Sequence, residues 1–292
     1  MPALRFKQVD VFTTRPFFGN PVAVVLDGDG LDAATMQRVA AWTNLSETTF
    51  VLRPTAQGAD YRLRIFTPRA ELPFAGHPTV GSAHAVLEAG LVPAKPELRQ
   101  ECGAGVLRLV VEGTGTARRI SVEAPPAALE PLAADAVGDV ERALGACRAP
   151  GSTAQIVAIG PRWLTLMLAD AAAVRALVPD MAAVAAVSRK LGATGITVFA
   201  PARAGDHDAV VRSFAPGEGV PEDPVCGSGN AAVGAWLQHA GTQIGRGGRH
   251  VASQGRELGR DGYVNVRVDA VTQRVWIGGA AVTCVDGVLS VH

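Results

Sequence analysis

No stretch of ~18 or more residues in this chain is free of both charge and helix breakers, the length a membrane-spanning helix needs. The opening, MPALRFKQVDVF, has no apolar signal core of ~7 to 15 residues, so a soluble, unexported protein is expected. Nor does one sign of charge prevail: Lys and Arg total 27, as do Asp and Glu, so no field steers the chain onto nucleic acid or an anionic membrane. Four cysteines, Cys102, Cys147, Cys226 and Cys284, stand apart without CxxC spacing. That argues against both a structural zinc site and a secreted disulfide scaffold, and it makes a reducing cytoplasm the expected setting. The partner these absences leave is a small molecule.

What is present is apolar content, 48% over 292 residues, enough at ~100 to 200 residues per domain for two domains. Alternating or β-branched runs predict strands at Phe6 to Phe12, Pro21 to Leu26, Thr48 to Leu52, Tyr61 to Phe66 and Val106 to Val111. The second half repeats the habit at Thr153 to Ile159, Trp163 to Leu168, Gly195 to Ala200, Ala209 to Phe214, Tyr263 to Val268 and Val275 to Ala280. Outer helices are expected at Asp32 to Thr43, Asp170 to Val178 and Asp180 to Leu191, each opened by an aspartate able to cap the first turn.

Two further helices are of another kind. PTVGSAHAVLEA, starting at Pro78 and ending before Gly90, is small and apolar on nearly every face, and Asn230 to Ala240 matches it. Such helices are surrounded by protein, and a strand-rich chain surrounds one by curling a sheet about it. Gly76 and Gly227 stand 151 residues apart, as do Gly90 and Gly241, while Phe66 and Phe214, like Pro68 and Pro216, are offset by 148. An insertion of three residues reconciles the offsets, and the order strand, turn, buried helix marks an internal repeat. The expected fold is α+β: two pseudo-symmetric halves, each a curved, mostly antiparallel sheet or barrel around a central helix. The proline- and alanine-rich segment EAPPAALEPLAAD places the boundary near residue 127, giving halves of 1–127 and 128–281.

In each half a strand runs through a glycine-containing turn into the buried helix, AGHPT at 75–79 and CGSGN at 226–230. Such a turn leaves N–H groups unpaired at the positive end of a helix, where an anion is the natural occupant; the competing reading is capping by His77 and Ser228. Two such turns facing one cleft would grip a carboxylate or an enolate-like intermediate. Glu47 sits in NLSETTFVL among Leu45, Phe50 and Val51, where a carboxyl tends to be desolvated and its pKa raised into the range useful for proton transfer; the alternative is an exposed strand-end glutamate. Asp223 and His77 flank the two turns in matching positions, though an isolated Asp or His there is more often a cap. EGTGTAR at 112–118 reads as a hairpin turn rather than a dinucleotide or phosphate loop. His84 and His239 lie on helices without a second ligand at i+4, and His207, His250 and His292 are scattered, so no metal site is expected.

NLSETTFVL, FTPRAELPFAGHPTVGSAHA and EDPVCGSGNAAVGAW closely resemble the three signature blocks of the phenazine-biosynthesis isomerase (PhzF-like) family, and DVFTTRPFFGNPVAVV its first hairpin. The resemblance runs in order along essentially the whole chain. It implies the diaminopimelate-epimerase-like fold with the active site between the halves, and a C-terminal strand, 282–292, crossing back into the first half. Carried over residue by residue, it implies Glu47 as the proton-transferring group, His77 and Asp223 as its catalytic supports, and Gly76, Gly227 and Ser228 as carboxylate-binding residues. It implies no cofactor, and an isomerase that takes a proton from one carbon of a conjugated or amino-bearing acid and returns it at another. A delocalised carbanion is the kind of charge that aimed N–H dipoles stabilise.

One departure matters. Related epimerases and racemases carry a cysteine in each turn, whereas this chain has Cys226 in the second and Ala75 in the first, which removes a two-thiol racemase. An epimerase pairing Cys226 with Glu47, and a non-catalytic small-acid binding protein, remain as alternatives, with Cys226 otherwise a small buried residue. Phenazine synthesis itself does not follow from membership of so broad a family. A homodimer is expected from the commonness of two-fold assemblies.

Overall fold

The computed structural model describes residues 3–202 and 205–291; residues 1, 2, 203, 204 and 292, the last of them His292 and the end of the expected C-terminal strand, lie outside the described residues. The chain divides into two compact units. One holds the chain up to Glu123 and again from Gly278, the other is Ala124–Ile277.

In the first unit the elements are β1 (Ala3–Val11), β2 (Asn20–Val25), α1 (Ala33–Thr43), β3 (Thr48–Leu52), β4 (Tyr61–Phe66), β5 (Glu71–Leu72), α2 (Gly76–Glu88), β6 (Glu97–Cys102), β7 (Gly105–Glu112) and β8 (Arg119–Glu123). β1 and β2 pair antiparallel, β2 and β3 parallel, β3 and β4 antiparallel, β4 and the short β5 antiparallel, β4 and β6 parallel, and β6 and β7 antiparallel. The C-terminal strand, Ala281–Ser290, lies antiparallel along β1 with a bulge at Gln8/Val9. Every residue of α2 from Gly76 to Leu87 is buried, and the helix touches β1, β2, β3, β4, β8 and the C-terminal strand. A Cβ on Gly81 would stand 2.5 Å from Val22 Cγ1, so the helix lies against β2 only because that residue has none. α1 covers the outer face, packing Met36 and Ala40 on Phe50 and Phe66, whose rings meet edge to face at 5.6 Å.

The second unit has β9 (Ala128–Pro131), α3 (Ala134–Leu144), β10 (Ala154–Ala158), β11 (Arg162–Met167), α4 (Ala171–Arg175), α5 (Met181–Lys190), β12 (Gly195–Pro201), β13 (Ala209–Ala215), β14 (Val220–Asp223), α6 (Gly227–His239), β15 (Arg249–Gln254), β16 (Gly262–Val268) and β17 (Val275–Gly279), which straddles the division. From β10 onward the pairings run antiparallel, parallel, antiparallel, antiparallel to a short strand, parallel, antiparallel, the same series as in the first unit. α6 is buried from Gly227 to Leu237 except at Ser228, and it occupies the place of α2. Val137, Val140 and Leu144 of α3 join Val184 and Val187 of α5 on the outer face of β10 to β13.

The differences from the sequence reading lie at ends and in polar segments. α2 and α6 begin at Gly76 and Gly227, ahead of Pro78 and Asn230, because the turn glycines themselves adopt helical geometry and the caps are Ala75 and Cys226. α4 stops at Arg175 rather than Val178, and Arg212 Nη1 takes the carbonyls of Val174 and Leu177 at its end. The caps Asp32, Asp170 and Asp180 accept first-turn N–H bonds at 2.7 to 3.0 Å as their side chains suggest. No helix among the described residues is long and apolar enough to cross a membrane.

The C-terminal strand is tied to the end of α2 by charge. Lys7, nearly buried, lies 2.9 Å from Glu88 and 2.7 Å from Asp286, and Thr283 donates to Glu88 at 2.6 Å. A glutamate at the negative end of a helix is unfavourable alone, and this lysine offsets it.

Candidate active site

Glu47 lies between α1, which Asn44 closes in the left-handed conformation at φ 54°, and β3. That tight exit turns the chain inward, so the Glu47 side chain is 15% exposed and its Oε2 stands 3.4 Å from Nε2 of His77, itself 6% exposed, in the first turn of α2. Burial pushes the His77 imidazolium down to about 3, a hydrogen bond to the Pro21 carbonyl opposing this only in part, so the ring is neutral near pH 7. A carbonyl only accepts, and Nε2 faces Glu47, so the proton of the neutral ring sits on Nδ1. Nε2 therefore offers a lone pair to Oε2, and the acid form of Glu47 can donate to it. No side chain caps α2, and Pro78 has no N–H, so the N–H groups of Gly76 and His77 emerge from the first turn.

The turn into α6 is built differently. Asp223 accepts from the Val225 N–H at 3.0 Å and from the Cys226 thiol, and burial raises its carboxyl to about 6 against those bonds. Burial and the Asp223 charge push the Cys226 thiol well up, so it stays protonated. Its Sγ accepts from the Gly229 N–H at 3.2 Å, making Cys226 the cap. A Cβ on Gly229 would stand 2.4 Å from Ser213 Oγ, so no larger residue fits there. The Ser228 hydroxyl caps nothing; it accepts from Trp163 Nε1 at 3.0 Å. His77 likewise faces Glu47 instead of capping α2, so capping by His77 and Ser228, the simpler reading of these turns, is not what the side chains do.

Glu47, His77 and Gly76 thus meet in the first unit, and Asp223, Cys226, Gly227 and Ser228 in the second. Three contributors escaped the sequence reading. Pro21 fixes the His77 tautomer, Trp163 holds Ser228, and Gln254 binds both Asp223 and Cys226. Pro21 carried a signal only as the start of an expected strand in the first hairpin. Among the described residues no group of three or more His, Cys, Asp or Glu is placed to hold a metal ion.

The Asp223 shift has a sign that can be tested. Below its ordinary pKa the folded and unfolded chains both hold the proton; as pH rises toward about 6 the unfolded chain ionises first, so the folded state loses stability across that window. Asp223→Asn, which cannot ionise, is expected to gain stability relative to wild type between pH ~4 and ~6.5 in urea titrations. A difference that does not change with pH would contradict burial as the cause.

Comparison with known proteins agrees with this architecture. Residues 9–287 match the model of the family described as phenazine biosynthesis-like protein. "Antisense-enhancing sequence 1" of Schizosaccharomyces pombe is 42% identical, with 97% of each chain covered. Trans-2,3-dihydro-3-hydroxyanthranilate isomerase of Pseudomonas aeruginosa is 36% identical, covering 93% of this chain and 92% of its own. The crystal structure of a Bacillus anthracis phenazine biosynthesis protein of the PhzF family superposes with a TM-score of 0.86 over 100% of both chains at 24% identity, a likeness of fold. The chain belongs to the phenazine biosynthesis-like protein family and is an isomerase built on its epimerase-like α+β fold.

Proposed function

We propose that the protein moves a proton between carbons of a small conjugated or amino-bearing carboxylic acid, with Glu47 as base and then acid and with no cofactor. The observation that carries this is the Glu47–His77 pair at 3.4 Å, a buried carboxyl beside a neutral ring whose acceptor nitrogen faces it. Glu47 as carboxylate takes the proton from carbon; as acid it is held by the Nε2 lone pair; then it returns the proton to the second carbon. The open N–H groups of Gly76 and His77 at the start of α2 are donors for the substrate carboxylate and for the negative charge that spreads onto it during transfer, and those of Gly227 and Ser228 at the start of α6 are donors of the same kind. Asp223, titrating at about 6, supplies a second group able to hold or release a proton beside the second turn.

Candidate substrates start from trans-2,3-dihydro-3-hydroxyanthranilate, the acid in the name of the Pseudomonas aeruginosa relative, and extend to other conjugated and amino acids. The test is exchange of a substrate C–H with solvent deuterium across that panel. Saturable binding of an acid with no exchange by the wild-type protein would instead make this chain a binding protein.

Cys226 is left out of the proton transfer because its thiol is held protonated and occupied by Asp223 and the Gly229 N–H. Cys226→Ala is expected to keep turnover within about threefold of wild type, since the thiolate that reacts as a base is scarce at a raised pKa. Loss beyond a hundredfold in that variant, with the fold intact, would restore the epimerase reading in which Cys226 opposes Glu47.

A further inference from the structure

We infer that Gln254 is a positioning residue that decides which backbone N–H groups of the α6 turn are left to face a ligand; this rests on reading that turn as part of the active site. Gln254 ends β15 and its side chain is completely buried, so each end of its amide needs a partner. Oε1 accepts from the Cys226 N–H at 3.1 Å and from Asn230 Nδ2 at 2.9 Å, while Nε2 donates to the Asp223 carbonyl at 2.9 Å. One planar group from a neighbouring strand therefore clamps the chain on both sides of the helix start.

The consequence is a sorting of donors. The Cys226 N–H goes to Gln254, the Gly229 N–H to Cys226 Sγ and the Asn230 N–H to the Cys226 carbonyl. Gly227 and Ser228 are what remains of the first turn. Take the amide away and the Cys226 N–H joins the open set, the Asp223 carbonyl loses its donor, and the backbone that carries the Asp223 carboxyl loses one of its anchors, leaving the carboxyl to the Val225 N–H and the Cys226 thiol. Glutamate fills the same space and still accepts from Cys226 and Asn230, but in ionised form it cannot donate to the Asp223 carbonyl.

The experiment uses the full-length protein with Gln254→Met and Gln254→Glu, reading amide ¹⁵N–¹H spectra as anthranilate, a stable aromatic amino-carboxylate, is added, and then the pH profile of substrate hydrogen exchange. In wild type the Gly227 and Ser228 amides are expected to move saturably. In Gln254→Met the affinity should fall about tenfold, the Cys226 amide should join the response, and the acid limb of the pH profile should shift. Wild-type affinity, amide response and pH profile in a folded Gln254→Met protein would overturn the inference. If that variant does not fold, Gln254→Glu, read above the pH at which its carboxyl ionises, should keep the wild-type amide response but lose affinity and shift the acid limb, and wild-type affinity and pH profile there overturn the inference. Should Glu47→Gln and Asp223→Asn both exchange hydrogen like wild type, the reading of the site itself fails; should they be inactive while Gln254→Met is normal, only the role of Gln254 fails.

Discussion

Glu47→Gln is expected to lower the rate of substrate hydrogen exchange by about a thousandfold while leaving the melting transition intact, within the range by which a positioned acid or base accelerates proton transfer. The amide keeps the size of the side chain and still faces His77, but it has no proton that can shuttle. Glu47→Asp should fall between the two, because the shorter carboxyl retracts from the reacting carbon. His77→Leu is expected to reduce the rate less than Glu47→Gln does, since it removes an acceptor for the acid form rather than the proton carrier. A Glu47→Gln rate within tenfold of wild type would remove Glu47 from the mechanism.

The largest stability effect is expected at Arg212, which lies behind the second turn. Its guanidinium forms two bonds of 2.8 Å with Glu222, and Nη1 donates to the Val174 and Leu177 carbonyls at 3.2 and 2.8 Å. Both side chains are nearly buried, at 5% and 7% exposure, so Arg212→Ala strands a carboxylate and the carbonyls at the end of α4. The expected loss is about 3 to 5 kcal/mol by urea unfolding. Replacing the pair together, as Arg212→Met with Glu222→Leu, should recover much of it because no charge is then left alone. A loss under about 1 kcal/mol for Arg212→Ala would mean that the pocket opens to water on substitution. Glu222 immediately precedes Asp223, so this ion pair also anchors the strand from which the candidate acid projects.

Much of this architecture was legible because buried strands and buried helices leave plain signatures. Thr48–Leu52 and Tyr61–Phe66 start and stop where alternation and β-branching say they should, and the glycine spacing of the repeat placed α2 and α6 in register. What escaped detection was polar or short. Glu97–Cys102 reads ELRQEC and Arg249–Gln254 reads RHVASQ, strands whose inward residues include Gln100 and Gln254. Periodicity in hydrophobicity cannot register an inward-facing glutamine, because what makes it tolerable inside is a hydrogen-bond partner far away in sequence. α3 was hidden for a related reason: it follows directly on the proline-rich segment that looked like a linker, and that segment itself adds β9 to β10. In the candidate site the motifs carried Glu47, His77 and Asp223, yet the state of each depends on its surroundings. Neutral His77 and the protonated thiol of Cys226 both need burial that no local pattern displays, and the ring's tautomer needs the Pro21 carbonyl 56 positions earlier in the chain.

The most direct measurement is turnover in deuterium oxide, with mass spectrometry and proton NMR locating the label in substrate and product. If Glu47 carries the proton and exchanges it with solvent while the intermediate is bound, wild type places deuterium on the receiving carbon and Glu47→Gln does so about a thousandfold more slowly at equal protein concentration. Equal labelling by the two proteins, or turnover in which no substrate hydrogen moves, would contradict proton transfer through Glu47.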